Sequence, residues 1–308
     1  KGMFRFLPRL FESLSGVQHQ LSAAKYDAFC LWRPSHLTQS LSCAPFKMPL
    51  KFAANISTMY NQQPFLHRIW EASSAGFKAI ECQFPYEHDI EDIARAIRNS
   101  NLETVLINSH PGDTKGELGF AAKPGFESEF KASLEASIKA AKTMDCKRIH
   151  IMAGMTGTER DAAMEAVYVK NLIRAAQLLE KEGIIGVIEP LCEQVRRGYF
   201  LNSYEQAARY VKQINHKNIR LLLDVFHLQM ISGNLTNTIT ELLPIVGHVQ
   251  ISQAPNRSLP GTSGEIDYKY ILKLFDNLGY TDWIGLECTA SGRGKDGLYW
   301  ITEYGYSL

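Results

Sequence analysis

Gly183-Ile184-Ile185-Gly186-Val187-Ile188-Glu189-Pro190 is a short apolar, β-branched run that ends abruptly in a carboxylate and a proline. Bounded by Gly and Pro, it reads as a strand buried on both faces. Glu189 then sits at the carboxyl tip, where an ionised carboxylate is costly unless a cation or hydrogen bonds satisfy it. The same pattern recurs downstream. Ile219-Arg220-Leu221-Leu222-Leu223 ends in Asp224, Ile245-Val246-Gly247-His248-Val249 ends in Gln250, and Trp283-Ile284-Gly285-Leu286 ends in Glu287. Four apolar strands thus each deliver one oxygen ligand at their carboxyl ends.

Upstream of that stretch, from Met48, the chain alternates strand and helix with little filler. Strands are expected at Lys51–Ile56, Lys78–Phe84, Leu102–Asn108 and Arg148–Met152. Helices are expected at Phe65–Ala75, stopped by Gly76, at Asp89–Ser100 with acids in its first turn, at Glu127–Thr143 and at Ala162–Glu182. A Gly/Pro-rich loop, Ser109–Gly125, follows the third strand. Downstream, Ser203–Ile214 starts on a good N-cap, Leu235–Leu243 is closed by Pro244, Asp267–Leu278 precedes the last strand, and Gly297–Tyr304 offers a final helix. Eight strand–helix pairs within residues 48–308 have the size and rhythm of a single (β/α)₈ TIM barrel. An open doubly wound sheet explains the alternation, but not why four successive strands end in hydrophilic ligands. In a barrel those ends surround one pocket.

Composition bounds the remaining choices. The chain has 308 residues, 45% hydrophobic and 21% charged, with a formal net charge of +1. No overall basicity argues for nucleic acid or a membrane surface, and no apolar run approaches the roughly 20 residues of a membrane span. The six cysteines form no C-x-x-C pair and read as reduced thiols of a cytoplasmic protein. Residues 1–47 stand apart: they hold six basic and two acidic groups, leaving residues 48–308 at net −3. This basic, aromatic segment is read as an N-terminal extension outside the fold, either variable sequence or a mitochondrial presequence.

Glu189, Asp224, Gln250 and Glu287 offer three carboxylates and one amide oxygen, with no thiolate. Hard oxygen donors suit Mg²⁺ or Mn²⁺ better than zinc or copper. Without a cation, three clustered anions would push one another's pKa values up. Any one of them alone would more often be a solvated loop acid. Four at corresponding positions of strands five to eight argue for a site.

Beyond these residues, Phe52-Ala53-Ala54-Asn55-Ile56-Ser57, Phe84-Pro85-Tyr86, Ile107-Asn108 with Pro111-Gly112-Asp113, Ile188-Glu189-Pro190, Asp224-Val225-Phe226-His227, Gly247-His248-Val249-Gln250 and Gly264-Glu265-Ile266 resemble the hydroxypyruvate isomerase family of xylose-isomerase-like barrels. The resemblance runs from about Met48 to Trp300. It implies interconversion of hydroxypyruvate and 2-hydroxy-3-oxopropanoate on a small hydroxy-keto acid, with a divalent metal and no organic cofactor. The family's catalytic glutamates fall on Glu189 and Glu287, and its metal positions on those two plus Asp224 and Gln250. Many related sugar epimerases carry His at the seventh-strand metal position, so Gln250 favours the hydroxypyruvate branch.

Further candidates are polar residues near the strand ends. His227 could donate to a substrate oxygen or simply pack its loop, and Arg257 could pair with a substrate carboxylate or stay solvated. His110 and Glu81 are weaker candidates. His150 and His248 read as barrel-interior residues, with His248 on the same strand face as Gln250. The loop Cys192–Arg197 borders the pocket and leaves substrate size open. A keto-sugar 3-epimerase is the nearest rival reading, and a non-catalytic binding barrel the rival from another class. A metal-dependent nuclease fits poorly with a net-acidic barrel. A homo-oligomer is left open.

Overall fold

The computed structural model describes residues 49–114, 116–290 and 295–308. Eight parallel strands close into a barrel in sequence order: β1 Lys51–Asn55, β2 Ala79–Cys82, β3 Glu103–Asn108, β4 Arg148–His150, β5 Ile185–Ile188, β6 Ile219–Asp224, β7 Val246–Ile251 and β8 Trp283–Leu286. β8 returns to pair with β1, Phe52 opposite Ile284. Helices α1 Phe65–Ala75, α2 Ile90–Asn99, α3 Glu127–Thr143, α4 Ala162–Lys181, α5 Tyr204–Ile214, α6 Val225–Ile231, α7 Leu235–Leu242, α8 Tyr268–Asn277 and α9 Tyr299–Glu303 occupy the connections. This is the TIM barrel that the alternation predicts. The expectations for residues 1–47 concern residues outside those described. Among the described residues no helix is long and apolar enough to cross a membrane.

Helix starts follow local chemistry. Asp89, Asp161, Ser203 and Asp267 each cap a helix by accepting backbone N–H groups, Ser203 Oγ from Gln206 N at 3.3 Å. The expected boundaries that began on Asp89, Ser203 and Asp267 therefore shift by one residue, because a cap lies outside the helix it stops. Ser203→Ala should cost about 1 kcal/mol, read as a shift of the urea midpoint with unchanged slope. Gly76 ends α1 at φ 106°, a conformation that favours glycine. Two expectations need correction. The segment after β6, to which no element was assigned, forms α6, because Asp224 itself caps it. Ile245 belongs not to β7 but to a 3₁₀ turn, Leu243–Ile245, that Pro244 initiates.

The strand period of two decides what faces the barrel axis. Asn55, Glu81, His248 and Gln250 are buried and meet across the barrel, although β2 and β7 are not neighbours. Ala53 and Ala79, two residues before Asn55 and Glu81, pack with Val105 in a small apolar layer beneath them. The opposite strand faces join the helices in the large outer core.

Candidate active site

The four residues expected to form a ligand ring do stand at the carboxyl ends of adjacent strands. Glu189 and Glu287 directly follow β5 and β8, Asp224 ends β6, and Gln250 lies opposite it in β7. All four are buried. Each is oriented by a specific contact. Asp224 Oδ1 accepts Phe226 N–H at 2.8 Å to cap α6, and its backbone is clamped by the Tyr204 hydroxyl, which donates to Asp224 O at 2.8 Å. Gln250 Nε2 donates to Glu81 Oε1 at 2.7 Å, which turns its amide oxygen the other way. Gln83 Nε2 donates to Glu287 Oε1. His150 Nδ1 lies 3.3 Å from Glu189 Oε2. Three buried oxygens remain without a hydrogen-bond partner: Glu189 Oε1, Asp224 Oδ2 and Gln250 Oε1.

Burial dominates the electrostatics. It raises the pKa of Glu189 well above the usual carboxylate range, and the Glu287 and Asp224 charges add to the effect. Glu287 is raised to about 7 by burial, against the opposing pull of Arg257. Asp224 is also raised by burial, with Arg257 and the α6 N–H groups acting against it. Arg257 stands between these acids, Nη1 at 3.1 Å from Glu287 Oε2 and Nη2 at 3.2 Å from Asp224 Oδ2. The expectation that Arg257 meets a substrate carboxylate therefore finds its guanidinium already engaged by two protein carboxylates.

Histidine placement separates the other candidates. His227 Nδ1 accepts Cys192 N–H at 3.0 Å, and burial followed by the Arg257 charge lowers its pKa well below 6.5. Its Nε2 lies 2.5 Å from Arg257 Nη2, which can only donate, and 3.9 Å from Glu189 Oε1 and 3.8 Å from Asp224 Oδ2. Glu189, Asp224 and His227 are close enough to hold an ion. His110 is not brought to the cavity. Its ring packs on Tyr86, Ser133 and Ser137 bind its backbone, and it lines a separate hollow beside α3. Glu81, ranked low from sequence, is the central acceptor beneath the ring. Gln83 and Asn108 also line the cavity and are not among the sequence candidates, because a lone amide carries no spacing signal, while Arg196 lines it from the loop expected to border the pocket.

Comparison with known proteins fits this geometry. A family model described as "Xylose isomerase-like TIM barrel" matches residues 69–304. The chain belongs to the xylose isomerase-like TIM barrels. It is 42% identical over 264 residues to "Putative hydroxypyruvate isomerase" of Danio rerio, covering 83% of this chain and 96% of that one. Identity is 35% with hydroxypyruvate isomerase of Escherichia coli (strain K12), covering 83% and 99%. It is also 35% with 2-oxo-tetronate isomerase of Cupriavidus necator, covering 82% and 98%. A crystal structure titled AP endonuclease, family 2, from Brucella melitensis superposes with a TM-score of 0.80 at 38% identity, over 83% of this chain and 99% of that one.

In this xylose isomerase-like barrel the donor set fits a hard divalent cation. The atoms left without a hydrogen bond are all oxygens, two of them from carboxylates, and Glu189, Gln250 and Glu287 of the ring line a cavity of about 220 Å³. A buried acceptor with no donor carries a desolvation cost that a bound cation would offset.

Proposed function

We propose that this chain interconverts hydroxypyruvate and 2-hydroxy-3-oxopropanoate (tartronate semialdehyde). The observation that carries the reading is the ring of Glu189, Asp224, Gln250 and Glu287, in which the buried oxygens Glu189 Oε1 and Gln250 Oε1 have no hydrogen-bond partner and Asp224 Oδ2 has only the Arg257 ion pair. Isomerase relatives at 35–42% identity over most of the chain support it.

The reaction moves a proton from C3, which bears the hydroxyl, to C2, which bears the carbonyl, and the hydroxyl proton from the C3 oxygen to the C2 oxygen. Glu189 and Glu287 stand on non-adjacent sides of the ring, so one takes the C3 proton while the other returns a proton to C2. Burial raises the pKa of both carboxylates above the usual range, Glu287 to about 7, the direction that a group returning a proton needs. His227 borders the cavity with its Nε2 against Arg257 Nη2. Arg257 fixes Glu287 and Asp224 in position. Glu189, Asp224, Gln250 and Glu287 would hold Mg²⁺ or Mn²⁺, whose charge stabilises negative charge developing on the substrate oxygens. The same proton transfer on 2-oxo-tetronate is the second reading, favoured by the Cupriavidus necator relative.

Metal removal tests the reading. Chelated protein should lose hydroxypyruvate turnover and regain it with Mg²⁺ or Mn²⁺. At a hundred times Kd the cation should add about 2.7 kcal/mol to folding stability, seen as a concentration-dependent rise in Tm. Full turnover after complete stripping would sink the proposal.

A further inference from the structure

Two arginines border the central cavity among the described residues, Arg196 and Arg257. Arg257 is committed. Turning it toward a ligand would leave the Glu287 and Asp224 carboxylates without their counter-charge in a buried site. Arg196 is different in every respect. It is exposed at the cavity mouth, and among the described residues its guanidinium has only the carbonyl of its neighbour Val195 for a partner, at 2.9 Å from Nη1.

The backbone under Arg196 is nonetheless fixed at both ends. Val195 N and Arg196 N both donate to Cys192 O, at 3.1 and 3.0 Å, and Cys192 N donates in turn to His227. On the far side, Thr156 N and Gly157 N donate to Gly198 O at 3.0 and 3.1 Å. The approach of Gly198 to Gly157 leaves no room for the turn to shift inward, since a Cβ on Gly198 would lie 3.2 Å from Gly157 Cα. A pinned turn that begins three residues after Glu189 thus presents an uncommitted, planar, bidentate donor over the site. An acid entering a cavity lined by Glu189 and Glu287 needs such a cation, because the carboxylates would otherwise repel it.

We propose that Arg196 binds the carboxylate of the substrate and selects 2-keto acids over neutral ketoses, an inference that rests on the isomerase reading above. The acid group then lies toward the mouth, and the two reacting carbons lie inward between Glu189 and Glu287. Arg196 is a specificity residue and takes no part in proton transfer.

The test compares Arg196→Ala and Arg196→Lys with the wild-type protein, metal-loaded, using two acids and one neutral probe. Glycerate carries the carboxylate but has no carbonyl to isomerise, so its Kd by calorimetry reports binding alone. Dihydroxyacetone replaces the carboxylate of hydroxypyruvate with a hydroxymethyl group. Arg196→Ala should raise the glycerate Kd and the hydroxypyruvate KM about 10- to 100-fold, with kcat little changed and the cation-induced rise in Tm intact. Arg196→Lys should recover part of the affinity, and kcat/KM for dihydroxyacetone should not move. Unchanged glycerate affinity in Arg196→Ala, or no glycerate binding by the wild type, overturns the assignment. Should the wild type fail to turn over hydroxypyruvate, the isomerase reading falls by itself, and the glycerate titration still decides the role of Arg196.

Discussion

Glu189→Gln and Glu287→Gln should each lower kcat on hydroxypyruvate by about 10²- to 10⁴-fold, the usual worth of a positioned acid or base. Glutamine keeps the shape and one carbonyl oxygen of each side chain but cannot carry the transferred proton. Each change also alters a neighbour, and those effects are separable. Glu287→Gln weakens one of the two anchors of Arg257, whereas Glu189→Gln leaves both Arg257 pairs in place. If the loss came only from weaker cation binding, raising Mg²⁺ or Mn²⁺ would restore turnover. If it came from lost proton transfer, saturating cation would restore the rise in Tm and not the rate. The double variant should be scarcely slower than the worse single one, because residues that act as a unit are strongly non-additive. Near-native kcat in both single variants would remove the two glutamates from the chemistry.

The barrel was legible because its signals are local and repeated. Buried strands bounded by Gly and Pro, and helices opened by Asp or Ser, leave marks within a few residues, and the observed boundaries differ from the expected ones at helix caps and by one or two residues at strand ends such as β2 and β4. The ring positions were legible for the same reason: each follows an apolar run, and the closed topology brings the ends together. What depends on pairing across the barrel was not. Glu81 is one acid in the second strand, and nothing nearby in sequence marks His248, 167 positions away, as its partner. Arg257 reads as a free loop arginine until the fold sets it against two carboxylates from different strands. His110 shows the converse, since a histidine soon after a strand end can still turn away when helix α3 binds its backbone.

Removing the Glu81 side chain should cause the largest loss of stability of any single change near the site. Its carboxylate is fully buried and accepts three side-chain donors: Asn55 Nδ2 at 2.9 Å and Gln250 Nε2 at 2.7 Å on Oε1, with His248 Nε2 2.7 Å from Oε2. Glu81→Ala strands all three in the barrel interior. At about 1–3 kcal/mol for each buried group left unsatisfied, partial relaxation leaves a cost on the order of 3–5 kcal/mol, measurable by urea unfolding. Gln250 also loses the acceptor that aims its oxygen at the cavity, so cation affinity should fall about 10- to 100-fold, as for other groups that orient metal ligands. Glu81→Gln separates orientation from bulk. Its carbonyl can keep Asn55 and Gln250 on one atom, and its amide can donate to His248 Nε2 once the imidazole proton moves to Nδ1, which has no partner in the structure. The glutamine variant should therefore keep most of the cation affinity that the alanine variant loses. Gly285→Ala should act in the same direction as the alanine variant, because a Cβ there would lie 2.3 Å from Glu81 Oε2 and push the carboxylate off its donors. Equal cation affinity in Glu81→Ala and Glu81→Gln would show that Gln250 is held by something other than Glu81.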